Sequence, residues 1–193
     1  VTLSRIWDVQ VNQMFGYHSR LVDSHPFKSA WWSWPVIGKP MWYYQAPYKP
    51  AGTVSVIWAL GHPAVWWTGL LALLLVFGGQ CYRLYNRLTD EPSARIERLN
   101  RTGLSPEAMV LIGFASNYVP WILVPRSMFI YHYFASLPFV ILCIGLVLRW
   151  LGEIRPKLAN SLYVVLVSAA VVLFIGYYPL GSGMVVCRTW AEM

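Results

Sequence analysis

The residues best placed to do chemistry gather around one cation. Arg126 lies within Asn117–Phe139, a stretch almost wholly apolar and aromatic. Pro120 and Pro125 precede it and Tyr131-His132-Tyr133 follow. A guanidinium offers a planar fork of donors that can bond two phosphate oxygens at once, so this arginine suits an anion at a membrane surface, such as a lipid phosphate. Tyr131, His132 and Tyr133 could add hydrogen bonds beside it. A second role is open to the same side chain, which could snorkel to lipid headgroups without specific binding. His132 taken alone is more often a packed, hydrogen-bonded histidine than a catalyst.

Other chemistries have less support. His18, Asp23 and His25 are potential metal ligands, but their spacing matches no common site closely, and no metal is expected. No Ser or Cys lies in an elbow or beside an evident base, which argues against nucleophilic catalysis. An enzyme moving a sugar onto a hydroxyl would need a base to deprotonate the acceptor. Of the carboxylates expected on Arg126's side of a membrane (Asp8, Asp23 and Glu192), Asp23 is the best-placed local candidate.

The elements that must position these residues are membrane spans. The 193 residues are 57% hydrophobic and 12% charged, against about 25% charged in soluble domains. Mean hydropathy is +0.47. The 11 Trp and 12 Tyr fall largely near the ends of apolar runs, as in interfacial aromatic belts. The net charge of +7 is split among loops without a dense basic cluster, so nucleic acid is not an expected partner. Cys81, Cys143 and Cys187 show no metal or disulfide spacing.

Charge-free runs set the spans. No Asp, Glu, Lys or Arg occurs from Pro50 to Tyr82, from Ala108 to Pro125, or from Ser127 to Leu148. Each is long enough to cross a hydrocarbon core of about 30 Å as a helix. The expected spans are one within His62–Cys81, entered through Gly61-His62-Pro63, then Pro106–Val124, then Ser127–Leu148, and one within Leu158–Tyr178. Ser105-Pro106-Glu107 reads as an N-cap, a first-turn proline and a first-turn acid. Ser168-Ala169-Ala170 offers a small-residue packing spot, and Pro179, Gly181 and Gly183 are expected to end the last span. Arg126 then sits at a tight turn between the second and third spans.

Before the spans come two other segments. Residues 1–24 carry Leu3, Ile6, Trp7, Met14, Phe15, Leu21 and Val22 roughly on one helical face. Such a helix could lie on the membrane or pack on an upstream domain. Residues 25–50 hold Pro26, Pro35, Pro40, Pro47 and Pro50 among Trp and Tyr, which forbids a long helix and suits an ordered interfacial loop. The expected fold class is therefore all-α integral membrane, with an extracytoplasmic interfacial segment over 1–52 and a four-helix region over 53–193. Arg83, Arg87, Arg95, Arg98 and Arg101, with Arg149, Arg155 and Lys157, mark the cytoplasmic loops. The N-terminal segment, Arg126 and the C-terminus then face outward. With Val1 first and no signal-peptide pattern, the chain reads as the C-terminal piece of a longer protein.

Three motifs carry a family resemblance. His25-Pro26-Phe27-Lys28-Ser29, followed by Trp32-Ser33-Trp34-Pro35, resembles the HPYxSxWYxWP segment of protein O-mannosyltransferases. Gly61-His62-Pro63-Ala64-Val65-Trp66-Trp67 is similar to their GNPxxWW segment, departing at His62, where the family usually has Asn. Val124-Pro125-Arg126, running to Tyr131-His132-Tyr133, is similar to their arginine-to-YHY segment. The resemblance implies the C-terminal four-span part of a glycosyltransferase that moves a sugar, typically mannose, from a polyprenyl or dolichyl phosphate to Ser or Thr hydroxyls of a protein acceptor.

It also implies roles. Arg126, Tyr131 and His132 would bind the donor phosphate, and His25, Ser29, Trp32 and Trp34 would form a segment on the substrate side. The lipid-linked sugar is the donor, and no cofactor is evident. The catalytic acids are expected upstream of Val1, so the upstream part of the enzyme and membrane lipid join the expected partners. The membrane would be the cell membrane of a bacterium or the endoplasmic reticulum of a eukaryote. A non-catalytic scaffold or transporter fragment is the alternative. The expected spans hold no interior Asp, Glu or Lys of the kind that marks an ion path, which weighs against a transporter.

Overall fold

A computed structural model describes residues 2–17, 25–47, 50–89 and 104–191. The chain begins with helix α1 (Leu3–Trp7), which continues as a π-helix over Asp8–Phe15. Its side-chain bonds are local, from Asn12 and Gln13 to the Asp8 carboxylate. Leu3, Ile6, Trp7 and Met14 remain exposed.

The described part of the proline-rich segment holds more regular structure than a loop. Trp31–Val36 forms a 3-10 helix that ends at Ile37 in the left-handed region. Strand β1 (Met41–Gln45) is followed by β2 (Thr53–Val54) and β3 (Val56–Ala59). β1 pairs antiparallel with β3, Trp42 opposite Trp58 and Tyr44 opposite Ile57, so Tyr43 is the extra residue of a bulge. β2 pairs with β4 (Val186–Cys187), which brings the end of the chain back to this layer. The all-α expectation is corrected here. The β-branched and aromatic residues of 41–45 and 53–59 meet as cross-strand pairs, which no pattern within one short segment reveals.

Helix α2 (Pro63–Thr89) starts at the expected proline, where the missing N–H costs nothing. It runs past Cys81 for two further turns. Helix α3 (Pro106–Tyr118) is capped as expected, with Ser105 Oγ accepting from the Ala108 N–H at 3.2 Å. It does not run to Val124 as an α-helix. Pro120 lacks the N–H for an α-helical bond and crowds the carbonyl four residues back, so Val119–Leu123 tightens to a 3-10 helix. The next helix does not start at Ser127 either. Residues 124–129 are non-helical, Ile130–Ser136 is 3-10, and α4 (Leu137–Ile154) begins only where Pro138 falls in a first turn. Helix α5 (Pro156–Ser182) passes through Pro179 instead of stopping there. Gly183, at φ +74°, ends it.

Three helical segments among the described residues are long and apolar enough to cross a membrane: Pro63–Thr89, Ile130–Ile154 and Pro156–Ser182. Side chains such as Leu71, Leu75, Val165, Val172 and Ile175 face outward on them, as on a lipid-facing surface. The protein is mostly helical and integral to the membrane. Between α2 and α4, Ala72, Val76 and Cys143 are buried together. Gly69 lets these helices approach, since a Cβ there would fall on the Val140 side chain. His62 Nε2 bonds the Ala170 carbonyl at 2.9 Å, which ties the entry of α2 to the small-residue spot on α5.

Candidate functional site

The larger core cluster holds Trp34, Ala59, Trp66, Met128, Ile130, Tyr133 and Val140, and it lies directly beneath the Arg126 segment. Its construction explains why the aromatic residues recur. Trp34 is fully buried and donates its indole N–H to Ser29 Oγ at 2.9 Å. The Ser29 N–H donates in turn to the Met128 carbonyl at 2.8 Å. Trp66 donates from Nε1 to the Trp34 carbonyl at 2.7 Å, and the Tyr118 hydroxyl to the Trp31 carbonyl at 2.9 Å. Four polar groups of the buried rings and their neighbours are thus satisfied, and residues 29–34 are bound to the chain that carries Arg126.

His132 is fixed from several sides. Its ring stacks on Trp34, meets Trp121 edge-on at 4.3 Å, and stacks on Tyr131 at 4.4 Å. The Phe129 N–H donates to its Nδ1 at 3.1 Å, closing the start of the 3-10 turn. Nδ1 also lies 2.9 Å from the Phe129 carbonyl, so one tautomer accepts from the N–H and leaves Nε2 a donor, and the other donates to the carbonyl and leaves Nε2 an acceptor. Arg126 is half-buried in the non-helical stretch just before this turn, close enough to His132 to interact electrostatically.

The residues singled out in sequence separate into two groups. Arg126, Tyr131 and His132 come together on one rim. His25 joins them edge-on to Phe129 at 5.0 Å, its Nδ1 accepting the Phe27 N–H. Ser29 and Trp34 lie below the rim as buried scaffold, whereas Trp32 is 66% exposed and takes no part in these ring contacts. His18 and Asp23 lie outside the described residues, as does Glu192. Among the described residues no cluster of three His, Cys, Asp or Glu could hold a metal.

Two residues of the rim escape sequence reasoning. Trp121 closes on His132 from the 3-10 turn after α3. Tyr43, displaced by the bulge, turns its ring toward Tyr131 at 5.9 Å. Burial first, and Tyr131 second, push the Tyr43 phenol above its ordinary value, so it stays a neutral donor at physiological pH. A strand pattern with three consecutive aromatics, Trp42-Tyr43-Tyr44, is the one local sign that the alternation is broken there.

Residues 2–191 match the family model described as the C-terminal four TMM region of protein-O-mannosyltransferase. The chain belongs to the protein O-mannosyltransferase family. It is 28% identical to the polyprenol-phosphate-mannose–protein mannosyltransferase of Mycobacterium tuberculosis, over 91% of this chain and 33% of that protein. It is 21% identical to dolichyl-phosphate-mannose–protein mannosyltransferase 1 of Saccharomyces cerevisiae, over 89% of this chain and 21% of the relative. With protein O-mannosyl-transferase 1 of Homo sapiens the identity is 28%, over 76% and 19%. The chain therefore spans a third or less of the length of these relatives, as their C-terminal membrane region. Its fold is similar to that in the structure of the S. cerevisiae protein O-mannosyltransferase Pmt1-Pmt2 complex bound to the sugar donor. The TM-score is 0.65 and the identity 19%, covering 95% of this chain and 25% of that one.

Proposed function

We propose that this membrane region holds the lipid end of the donor in a protein O-mannosyltransferase. The donor is a polyprenyl or dolichyl phosphate carrying mannose, the acceptor a Ser or Thr hydroxyl of a protein. Arg126 grips the carrier phosphate, and the Tyr131 hydroxyl donates to a remaining oxygen, joined by His132 Nε2–H in the tautomer whose Nδ1 accepts from Phe129. As the bond from the sugar to phosphate breaks, negative charge grows on that phosphate. A guanidinium held there binds the carrier and also stabilises the leaving group. Tyr43 walls the same rim, while His25 and Trp32 face the acceptor side. Ser29 and Trp34 serve by holding the rim in place. The catalytic acids belong to the rest of the enzyme, and the lipid-linked sugar serves as donor without a further cofactor.

This reading also assigns the membrane layout. Pro106–Leu123 makes the fourth crossing: thirteen α-helical residues give about 20 Å and five 3-10 residues about 10 Å more, close to a core of about 30 Å. Leu3–Phe15 lies along the interface with its exposed apolar side chains in lipid. Residues 1–52 form the outward segment, residues 53–193 the membrane part, and both termini and Arg126 lie on the extracytoplasmic side.

One observation carries the proposal. Arg126 stands between two apolar helical segments, half-buried, beside a histidine whose ring is locked by Trp34, Trp121 and Tyr131. The test is Arg126→Ala in the full-length enzyme, with affinity for polyprenyl-phosphate mannose as the readout. Weaker donor binding is expected. Unchanged affinity would sink the assignment.

A further inference from the structure

At the end of α3 away from Arg126, two arginines meet one carboxylate. Glu107 Oε2 lies 3.2 Å from Arg83 Nη1, and Glu107 Oε1 lies 3.6 Å from Arg149 Nη2. Each oxygen takes a guanidinium from a different helix, α2 on one side and α4 on the other. The acid sits inside, its side chain 16% exposed, while the two cations are 53% and 61% exposed. Two guanidiniums to one carboxylate leave the cluster with a net positive charge, and both cations face outward. Arg87, one turn after Arg83 on α2, is also exposed and adds to it.

The surroundings indicate depth in the bilayer. Tyr82 and Tyr85 on α2, Leu104 before α3 and Trp150 on α4 are all exposed around this cluster. Amphipathic rings at the end of apolar helices settle at headgroup level. Each guanidinium approaches its own oxygen of the same carboxylate through one terminal nitrogen, and with side chains 53% and 61% exposed both keep donors open toward the layer where lipid phosphates are found. Two such forks can serve the two non-bridging oxygens of a phosphodiester. Basic sites between helix ends at a membrane surface take acidic headgroups for the same reason.

We propose that Arg83 and Arg149, spread across Glu107, clamp the phosphate of an anionic bilayer lipid in the leaflet opposite Arg126. Glu107 is the positioning residue: it fixes both cations and joins α2, α3 and α4. The site rests on the crossing proposed for Pro106–Leu123 and not on the donor assignment, since it lies at the other end of α3.

The experiment uses the full-length enzyme in nanodiscs of phosphatidylcholine, alone or mixed with phosphatidylglycerol. For the unaltered enzyme, phosphatidylglycerol raises Tm and one molecule stays bound in native mass spectrometry. Arg83→Gln with Arg149→Gln loses both effects. Arg83→Lys with Arg149→Lys keeps the charges and the pairing to Glu107, so it preserves the fold in pure phosphatidylcholine while the phosphatidylglycerol-dependent rise shrinks. A full rise in the lysine variant overturns the clamp, even if the glutamine variant fails to fold. The proposal also falls if soluble glycerol phosphate reproduces the rise, which would mean a site for free anions. Loss of polyprenyl-phosphate mannose binding in the lysine variant would reassign the site to the carrier and equally overturn it.

Discussion

The indole of Trp34 lies nearly parallel to the imidazole of His132, with ring centroids 5.8 Å apart and planes 14° apart. One ring is fully buried and hydrogen-bonded below; the other reaches the rim where Arg126 stands. The stack therefore transmits the rigidity of the core to the rim. Trp34→Ala removes a buried indole, its bond to Ser29 and the floor under His132, and is expected to cost about 3–5 kcal/mol. Trp34→Phe keeps a ring but strands Ser29 Oγ, at about 1 kcal/mol. Thermal unfolding of the detergent-solubilised enzyme checks the order. If Trp34→Ala melts with the unaltered protein, Trp34 is not the support described.

Arg126→Lys separates charge from shape. Lysine keeps the cation but loses the planar fork, so it can place one donor on a phosphate oxygen where arginine places two. Charge-assisted bonds are worth about 1.5–3 kcal/mol each, so the lysine enzyme is expected to bind polyprenyl-phosphate mannose roughly tenfold or more less tightly. Arg126→Ala should be weaker still. Equal affinities for lysine and arginine would show that only charge counts at this position.

Gly69 and Gly113 are points of contact and not of flexibility. A Cβ on Gly69 would enter the Val140 side chain, and one on Gly113 would enter the ring of Phe139. Both partners lie on α4, which packs against α2 and α3 through these gaps. Gly69→Ala and Gly113→Ala are each expected to destabilise the protein by about 1–3 kcal/mol through overpacking. Gly145, with nothing within 4 Å of its would-be Cβ, provides the control. Gly145→Ala should leave Tm unchanged or raise it slightly, and a loss there equal to the Gly69→Ala loss would refute the packing account.

The helices that cross the membrane were legible because hydrophobic run length and charge punctuate the chain by local rules. Pro63 and Ser105-Pro106-Glu107 start helices where their chemistry says they should. The misplaced ends have the same kind of cause, read too simply: Pro120 and Pro138 do not merely bound helices but convert the flanking turns to 3-10, and Pro179 is carried within α5 until Gly183 stops it. The rim was half legible. Arg126 stood out as a charge among apolar residues, and Tyr131 and His132 stood out by their nearness to it. Trp121 and Tyr43 did not, because Trp121 meets His132 only once the chain folds back on itself, and Tyr43 is aimed by a bulge that depends on pairing with β3. Ser29 and Trp34 were found for their motif, yet only the fold separates their supporting place from the exposed place of Trp32.

Tyr133, the third member of the Tyr131-His132-Tyr133 run, behaves unlike its neighbours. It is fully buried against Trp66, Phe114 and Tyr118, and its hydroxyl has no hydrogen-bond partner among the described residues. A buried hydroxyl without a partner costs about 1–3 kcal/mol of desolvation that nothing offsets. Removing it while keeping the ring should therefore do no harm. Tyr133→Phe is expected to leave Tm unchanged or raise it, and to leave donor affinity at the unaltered value, whereas Tyr131→Phe should weaken donor binding. Paired Tm and donor-binding measurements on the two variants decide it. A fall in both on Tyr133→Phe would mean that the hydroxyl has a partner in the whole enzyme, and that Tyr133 belongs to the working rim after all.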